Sequence, residues 1–251
     1  MYKSAIILAA GVGTRLKPLT NQIPKPLVKV TDKTILHNAL GHLEKIGIEN
    51  VIIVTGYLNN ILHDNIGFFY KKMKITYINN EKYHNTNSMY SLLLGLNKIK
   101  NDNVIILEGD VFFEYSILEG MSDNDIVWIG DSSIKSMDGC YLISKNNKVA
   151  EIKILNKDEM KNDGEVVYSK SVGLLTLRAK QVPNIIAMLQ RGIKEKKEKL
   201  YYDLIIAENI KNLDITLHDI AGKKWFEIDS VEDLKICQRI FSDGKNSINN
   251  N

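Results

Sequence analysis

The stretch "SAIILAAGVGTRLKPLTNQIPKPL", residues 4–27, sets an apolar run directly against a loop dense in glycine, basic residues and proline. Its first seven residues read as a short, fully buried strand of the kind used by parallel sheets. A Walker loop requires Gly, four residues, then Gly-Lys-Ser/Thr, and here no lysine follows the second glycine. A dinucleotide fingerprint requires a third glycine where this chain has Leu16, and it must open a helix. Pro18, Pro24 and Pro26 prevent that helix, and the acidic Asp32 follows no second strand. What remains is a long loop after the first strand, carrying Gly11, Gly13, Arg15 and Lys25. Glycines let backbone N–H groups cradle phosphate oxygens, a guanidinium offers a planar fork, and a lysine supplies a point charge. A glycine-rich turn with solvated basic residues is the alternative.

Working outward, strands and helices alternate. "TILHNALGHLEKIG" (34–47) has helical spacing and a helix stop at Gly47. "NVIIVTG" (50–56) reads as a strand, "LNNILHDNIGFF" (58–69) as a helix and "MKITYI" (73–78) as a strand. "SMYSLLLGLNKI" (88–99) follows as a helix, then "NVIILEGD" (103–110) and "DIVWIG" (125–130) as strands. This order predicts an α/β fold with a doubly wound, mostly parallel sheet. "GCYLISK", "KVAEIKI", "EVVY" and "SVGLLTLRA" then run as separate short strands without helices, an antiparallel insertion over about 135–178. Helices return at 181–199 and 200–212, a strand at 214–220, and a closing helix whose Ser230 and Asp233 form a box-like N-cap. The expected organisation is one domain over 1–241 and a disordered polar tail at 242–251.

Composition sets limits. Lys plus Arg number 33 against 30 Asp plus Glu, too small an excess to indicate nucleic acid or a membrane surface. Cys140 and Cys237, without a CxxC, form neither a disulfide framework nor a zinc site. There is no signal-peptide pattern and no apolar run near 18 residues, so the expected location is cytoplasmic. The five histidines lack metal-site spacing, and oligomeric state is left open.

"LAAGVGTRLKPLTNQIPKPLVKV" (8–30) resembles the signature of the nucleoside-triphosphate transferases that make activated sugars and related compounds: G-x-G-T-R-L-x-P-x-T, then a P-K-P segment. The resemblance implies their Rossmann-like, GT-A-like nucleotidyltransferase fold. It would place Leu8, Ala9, Ala10, Gly11, Gly13 and Thr14 against the nucleotide, Arg15 on the triphosphate and Lys25 near the reacting phosphates. Asp110 in "ILEGD" ends a buried strand, where open α/β sheets bind ligands, and Asp229 in "FEID" precedes the last helix. Each alone could be a cap or turn residue. By resemblance they would hold Mg²⁺, with Glu108 facing ribose or a second metal and Glu227 nearby.

"NNEKYHNTNSMYSLLLGL" (79–96) stands where sugar-1-phosphate enzymes carry a Gln-x-x-Pro-x-Gly type segment. It resembles the branch that transfers CMP to phosphorylated amines, the bacterial phosphocholine and phosphonate cytidylyltransferases. That likeness implies CTP and a small phosphorylated acceptor as partners, with Asn87 and Ser88 near the cytosine. Without it, Asn85 and Asn87 read equally well as turn and cap. Aromatic faces or a carboxylate should meet an ammonium acceptor, and the candidates are Tyr83, Tyr90, Tyr201, Tyr202, Asp203 and Trp225. The branch often has a tryptophan downstream of the strand at 125–130, whereas "DSSIKSMDGC" (131–140) has no aromatic. The expected activity is Mg²⁺-dependent cytidylyl transfer with release of pyrophosphate. The alternatives are a sugar-1-phosphate nucleotidyltransferase using UTP, dTTP or CTP, and a non-catalytic nucleotide-binding regulatory protein.

Overall fold

Apolar residues facing both ways along one strand require cover on both faces of the sheet. In β1 (Ser4–Ala9), Ile6 and Ile7 are both fully buried, yet they belong to different core clusters on opposite sides. The structure, a computed structural model, describes residues 2–134, 137–156, 159 and 166–242. Its remaining strands are β2 (Asn50–Thr55), β3 (Phe69–Tyr70), β4 (Met73–Asn79), β5 (Val104–Glu108), β6 (Val111–Phe113), β7 (Ile126–Asp131), β8 (Gly139–Lys145), β9 (Lys148–Leu155), β10 (Val167–Leu177), β11 (Ile215–Asp219) and β12 (Trp225–Glu227). The α-helices are α1 (Ile35–Lys45), α2 (Asn59–Ile66), α3 (Ser88–Leu96), α4 (Val182–Lys194), α5 (Tyr202–Glu208) and α6 (Val231–Ser242).

Ten strands form one sheet in the order β3-β4-β2-β1-β5-β10-β7-β11-β9-β8, and β12 pairs with β6 in a separate ribbon. β4, β2, β1 and β5 run parallel, as does β11 to β7, while β10 lies antiparallel between β5 and β7. Leu36, Leu40 and Leu43 of α1 and Leu62 of α2 pack against Ile7 and Ile53 on one face. Met89, Leu92, Ile185, Leu189 and Ile205 of α3, α4 and α5 pack against Ile6 and Val54 on the other. Each such buried side chain contributes about 1.5–3 kcal/mol of transfer free energy.

Three expectations change. The helix over 58–69 ends at Ile66, because Gly67 turns the chain at φ 73°, and Phe69–Tyr70 become a strand. "EVVY" and "SVGLLTLRA" are not two strands flanking a turn; Val167–Leu177 is one strand with an irregularity between Ser171 and Leu174. That strand lies mid-sheet, so only the β8–β9 hairpin has the character of an insertion. Of the expected tail, Ser242 ends α6 and residues 243–251 lie outside the described residues. No helix among the described residues is long and apolar enough to cross a membrane.

Candidate active site

The glycine loop is pinned from below. Gly13 stands at φ 64°, and a Cβ there would meet the Lys25 Cβ at 3.1 Å, so glycine suits both the turn and the close approach. The Thr20 hydroxyl donates to the Gly13 carbonyl (2.8 Å), and the Tyr57 hydroxyl donates to the Thr20 carbonyl (2.9 Å). The three prolines do what the sequence suggests: the chain makes single 3₁₀ turns at 14–16, 19–21 and 25–27. The last of these buries Lys25, whose ammonium donates to Asp110 Oδ2 and to Asp229 Oδ1, each at 2.8 Å. Arg15, largely exposed, reaches the other oxygen of Asp229 at 2.8 Å.

Backbone pairing holds the two aspartates in register. Asp110 follows β5 and precedes β6, and Asp229 follows β12. The ribbon pairs Glu227 with Val111, and the Ile228 N–H donates to the Asp110 carbonyl at 3.0 Å. Asp233 Oδ2 accepts from the N–H groups of Asp229 (3.1 Å) and Ser230 (2.7 Å), while the Asp233 N–H donates to Ser230 Oγ (3.2 Å). Asp110, Glu227 and Asp229 each present an oxygen within 4.8 Å of the others. Asp110 Oδ1 is buried with no hydrogen-bond partner. An all-carboxylate donor set with an unpartnered oxygen fits a hard divalent cation such as Mg²⁺.

The charges shape one another. Burial acts to lower the pKa of Lys25, but the carboxylates of Asp110 and Asp229 outweigh it and keep the ammonium firmly protonated. Burial would raise Asp229, yet Lys25 and Arg15 hold it below the usual carboxylate range. Glu108 goes the other way: burial, then the charges of Asp110, Glu227 and Asp203, push it well above that range. Glu227 is raised by burial against the pull of Lys170, whose ammonium lies 3.0 Å from its Oε2.

Three contiguous cavities meet at these residues. One of about 390 Å³ follows the loop and is lined by Leu8, Ala9, Gly11, Gly13, Thr14, Arg15 and Lys25. One of about 210 Å³ is lined by Leu8, Ala10, Gly11, Tyr83, Asn87, Ser88, Glu108 and Asp110. The third, about 300 Å³, is lined by Glu108, Lys170, Tyr201, Asp203, Glu227 and Asp229. Asn87 both caps α3, accepting from the Ser88 N–H at 2.8 Å, and lines the middle cavity.

Three expected acceptor residues are not brought to these cavities. Tyr90 lies on α3 two residues past Ser88, about 200° around the helix axis, whereas Ser88 and Ser91 share the cavity face. Its ring packs against the core beside Lys82. Trp225 is buried at the far end of β12, and its indole N–H donates to Asp131 Oδ2 at 2.8 Å. Tyr202 is buried as well, stacked on Trp128 with ring centroids 5.9 Å apart. Asn80 and Lys170 line the cavities but were missed from sequence. Asn80 is held by its amide bonds to Thr86 and Ser91 (both 3.1 Å), and a lone lysine inside the apolar β10 was the only signal for Lys170.

Residues 4–124, which include the loop, Lys25, Glu108 and Asp110, match the nucleotidyl transferase family. A choline-phosphate cytidylyltransferase of Streptococcus pneumoniae is 28% identical over 241 residues, covering 94% of this chain and 97% of that protein. These matches mark the chain as a nucleotidyltransferase. This nucleotidyltransferase is also 25% identical over 236 residues to a 2-aminoethylphosphonate cytidylyltransferase of Lancefieldella rimae, covering 92% of this chain and 90% of that one. The solved CTP:phosphocholine cytidylyltransferase of S. pneumoniae matches the nucleotidyltransferase fold with a TM-score of 0.75 at 25% identity, over 96% of this chain and 99% of that one.

Proposed function

We propose that this enzyme transfers CMP from CTP to a small phosphorylated amine. An acceptor phosphate or phosphonate oxygen attacks the α-phosphorus in line, the bond to the β-phosphate oxygen breaks, and pyrophosphate leaves. The observation that carries the reading is the Lys25 ammonium between Asp110 and Asp229, with Arg15 on the same aspartate beside the glycine loop. Phosphoryl-type transfer needs positioning and charge neutralisation more than a covalent nucleophile. In this reading Arg15 holds the β/γ charge and Lys25 stabilises the transferring phosphate. The loop from Leu8 to Thr14 binds the triphosphate, and Asn87 and Ser88 face the base. Asp110 and Asp229, with Glu227 beside them, would hold Mg²⁺, which when bound neutralises charge on the phosphates. The two cytidylyltransferase relatives of matching length support CTP, and the cavity between Lys170 and Asp203 supports a small acceptor.

A pyrophosphate-release assay over CTP, UTP, dTTP, GTP and ATP, each with phosphorylated amines or glucose-1-phosphate, tests the reading. Turnover is expected with CTP and a phosphorylated amine. Turnover confined to glucose-1-phosphate with UTP or dTTP would replace it with sugar activation.

A further inference from the structure

The acceptor's charged end has a chemistry that the third cavity specifies. A quaternary ammonium has no N–H and is held by aromatic faces; a primary ammonium brings three donors that need acceptors. Among the described residues, the only ring lining this cavity is Tyr201, which is 52% exposed. Residues 135–136 and 157–165 contain no Phe, Tyr or Trp. The two tryptophans are committed elsewhere, the indole N–H of Trp128 donating to Ser171 Oγ and that of Trp225 to Asp131. Set against this single ring is a carboxylate. Asp203 lines the cavity at 7% exposure, and its Oδ1 is buried with no hydrogen-bond partner. Of the two cations lining the same cavity, Lys170 is engaged by Glu227 at 3.0 Å and Arg15 by Asp229 at 2.8 Å. A desolvated carboxylate oxygen left without a donor is unfavourable, and a ligand ammonium would relieve it.

From this cavity we infer that the acceptor is a phosphorylated primary amine bound through its ammonium by Asp203, and that trimethylated amines are discriminated against. The inference rests on the cytidylyl-transfer reading above. Methylation removes every N–H that Asp203 could accept from and adds bulk, with no aromatic cage to compensate.

The test uses matched pairs on the full chain with CTP: phosphoethanolamine against phosphocholine, and 2-aminoethylphosphonate against its N-trimethyl derivative. The primary member of each pair is expected to have a kcat/KM at least 30-fold higher. Pyrophosphate release that favours the trimethylated member, or treats both equally, overturns the inference and leaves cytidylyl transfer standing. No release with CTP and any of the four overturns both. Asp203→Asn, nearly isosteric, is expected to raise KM for the primary amine at least tenfold and to flatten the preference within each pair. Retention of the full preference in a folded Asp203→Asn protein also overturns it.

Discussion

The ammonium of Lys25 lies 2.8 Å from a carboxylate oxygen of Asp229, although 204 residues separate them in the chain. A loop following the first strand and the segment entering the last helix therefore close on each other across the ends of β5 and β12. Lys25→Met removes the cation shared by Asp110 and Asp229. Activity is expected to fall by about 10²–10³, the scale of losing one aimed electrostatic contact at a transferring group. The cost in stability is expected to be only about 1–2 kcal/mol, since both carboxylates are about a quarter exposed and water screens them. Steady-state kinetics beside urea unfolding separates the two effects; wild-type turnover would remove Lys25 from the site.

Lys170 is 2% exposed and pairs with Glu227. Lys170→Met takes the cation from Glu227, whose side chain is 27% exposed, and a loss of about 1–2 kcal/mol is expected. Lys170→Met combined with Glu227→Gln should recover part of that loss, because the orphaned charge is gone. Additive losses in the double-mutant cycle would show that the pair is not coupled.

The indole of Trp225 donates to Asp131, which is 1% exposed. Trp225→Phe is therefore expected to cost about 1–3 kcal/mol through the unpaired buried acceptor, with KM for the acceptor changed less than twofold. A large rise in acceptor KM with unchanged stability would return Trp225 to the binding site.

Burial lowers the pKa of His42, whose Nε2–H donates to the Phe113 carbonyl at 2.9 Å; nearby Lys33 and Lys45 lower it further. Burial lowers His37 and His218 as well. At these histidines the unfolded chain therefore binds more protons below about pH 6.5 than the folded one. The stability they contribute is expected to be fully present above that pH and to decline as pH falls through it, while the raised carboxyls of Glu108 and Glu227 act in the opposite sense. Urea midpoints at pH 7.5 and 5.5 measure the loss, which His42→Gln should make smaller. An equal or larger loss in His42→Gln would place the effect elsewhere.

The parts of the fold written in local patterns were legible in the sequence. Buried runs gave the parallel strands, Ser230 marked the start of the closing helix, and prolines kept the loop from becoming a helix. The loop residues and both aspartates could be located because each sits at a strand end or glycine turn with its own local signature. Lys170 could not, because only the pairing of β10 with β8 and β7 turns its side chain into the interior beside Glu227. Trp225 misled because it stands two residues from Glu227, yet two residues along a strand span about 7 Å. That distance takes it from the cavities to Asp131. β6 escaped notice as a three-residue strand that exists through its pairing with β12 and through Asn38, whose side chain bonds both the N–H and the carbonyl of Phe113 (3.1 Å each).

The central claim is that Lys25, Arg15 and the paired aspartates direct attack to the α-phosphorus of CTP. Phosphorus-31 NMR of the full chain with CTP, Mg²⁺ and 2-aminoethylphosphonate follows every phosphorus at once. The expected spectrum loses all three triphosphate resonances and gains free pyrophosphate together with a coupled pair, one phosphonate and one phosphate, from the new mixed anhydride. Formation of CDP, which would place cleavage between the β- and γ-phosphates, or an unchanged spectrum with every phosphorylated amine tried, would contradict it.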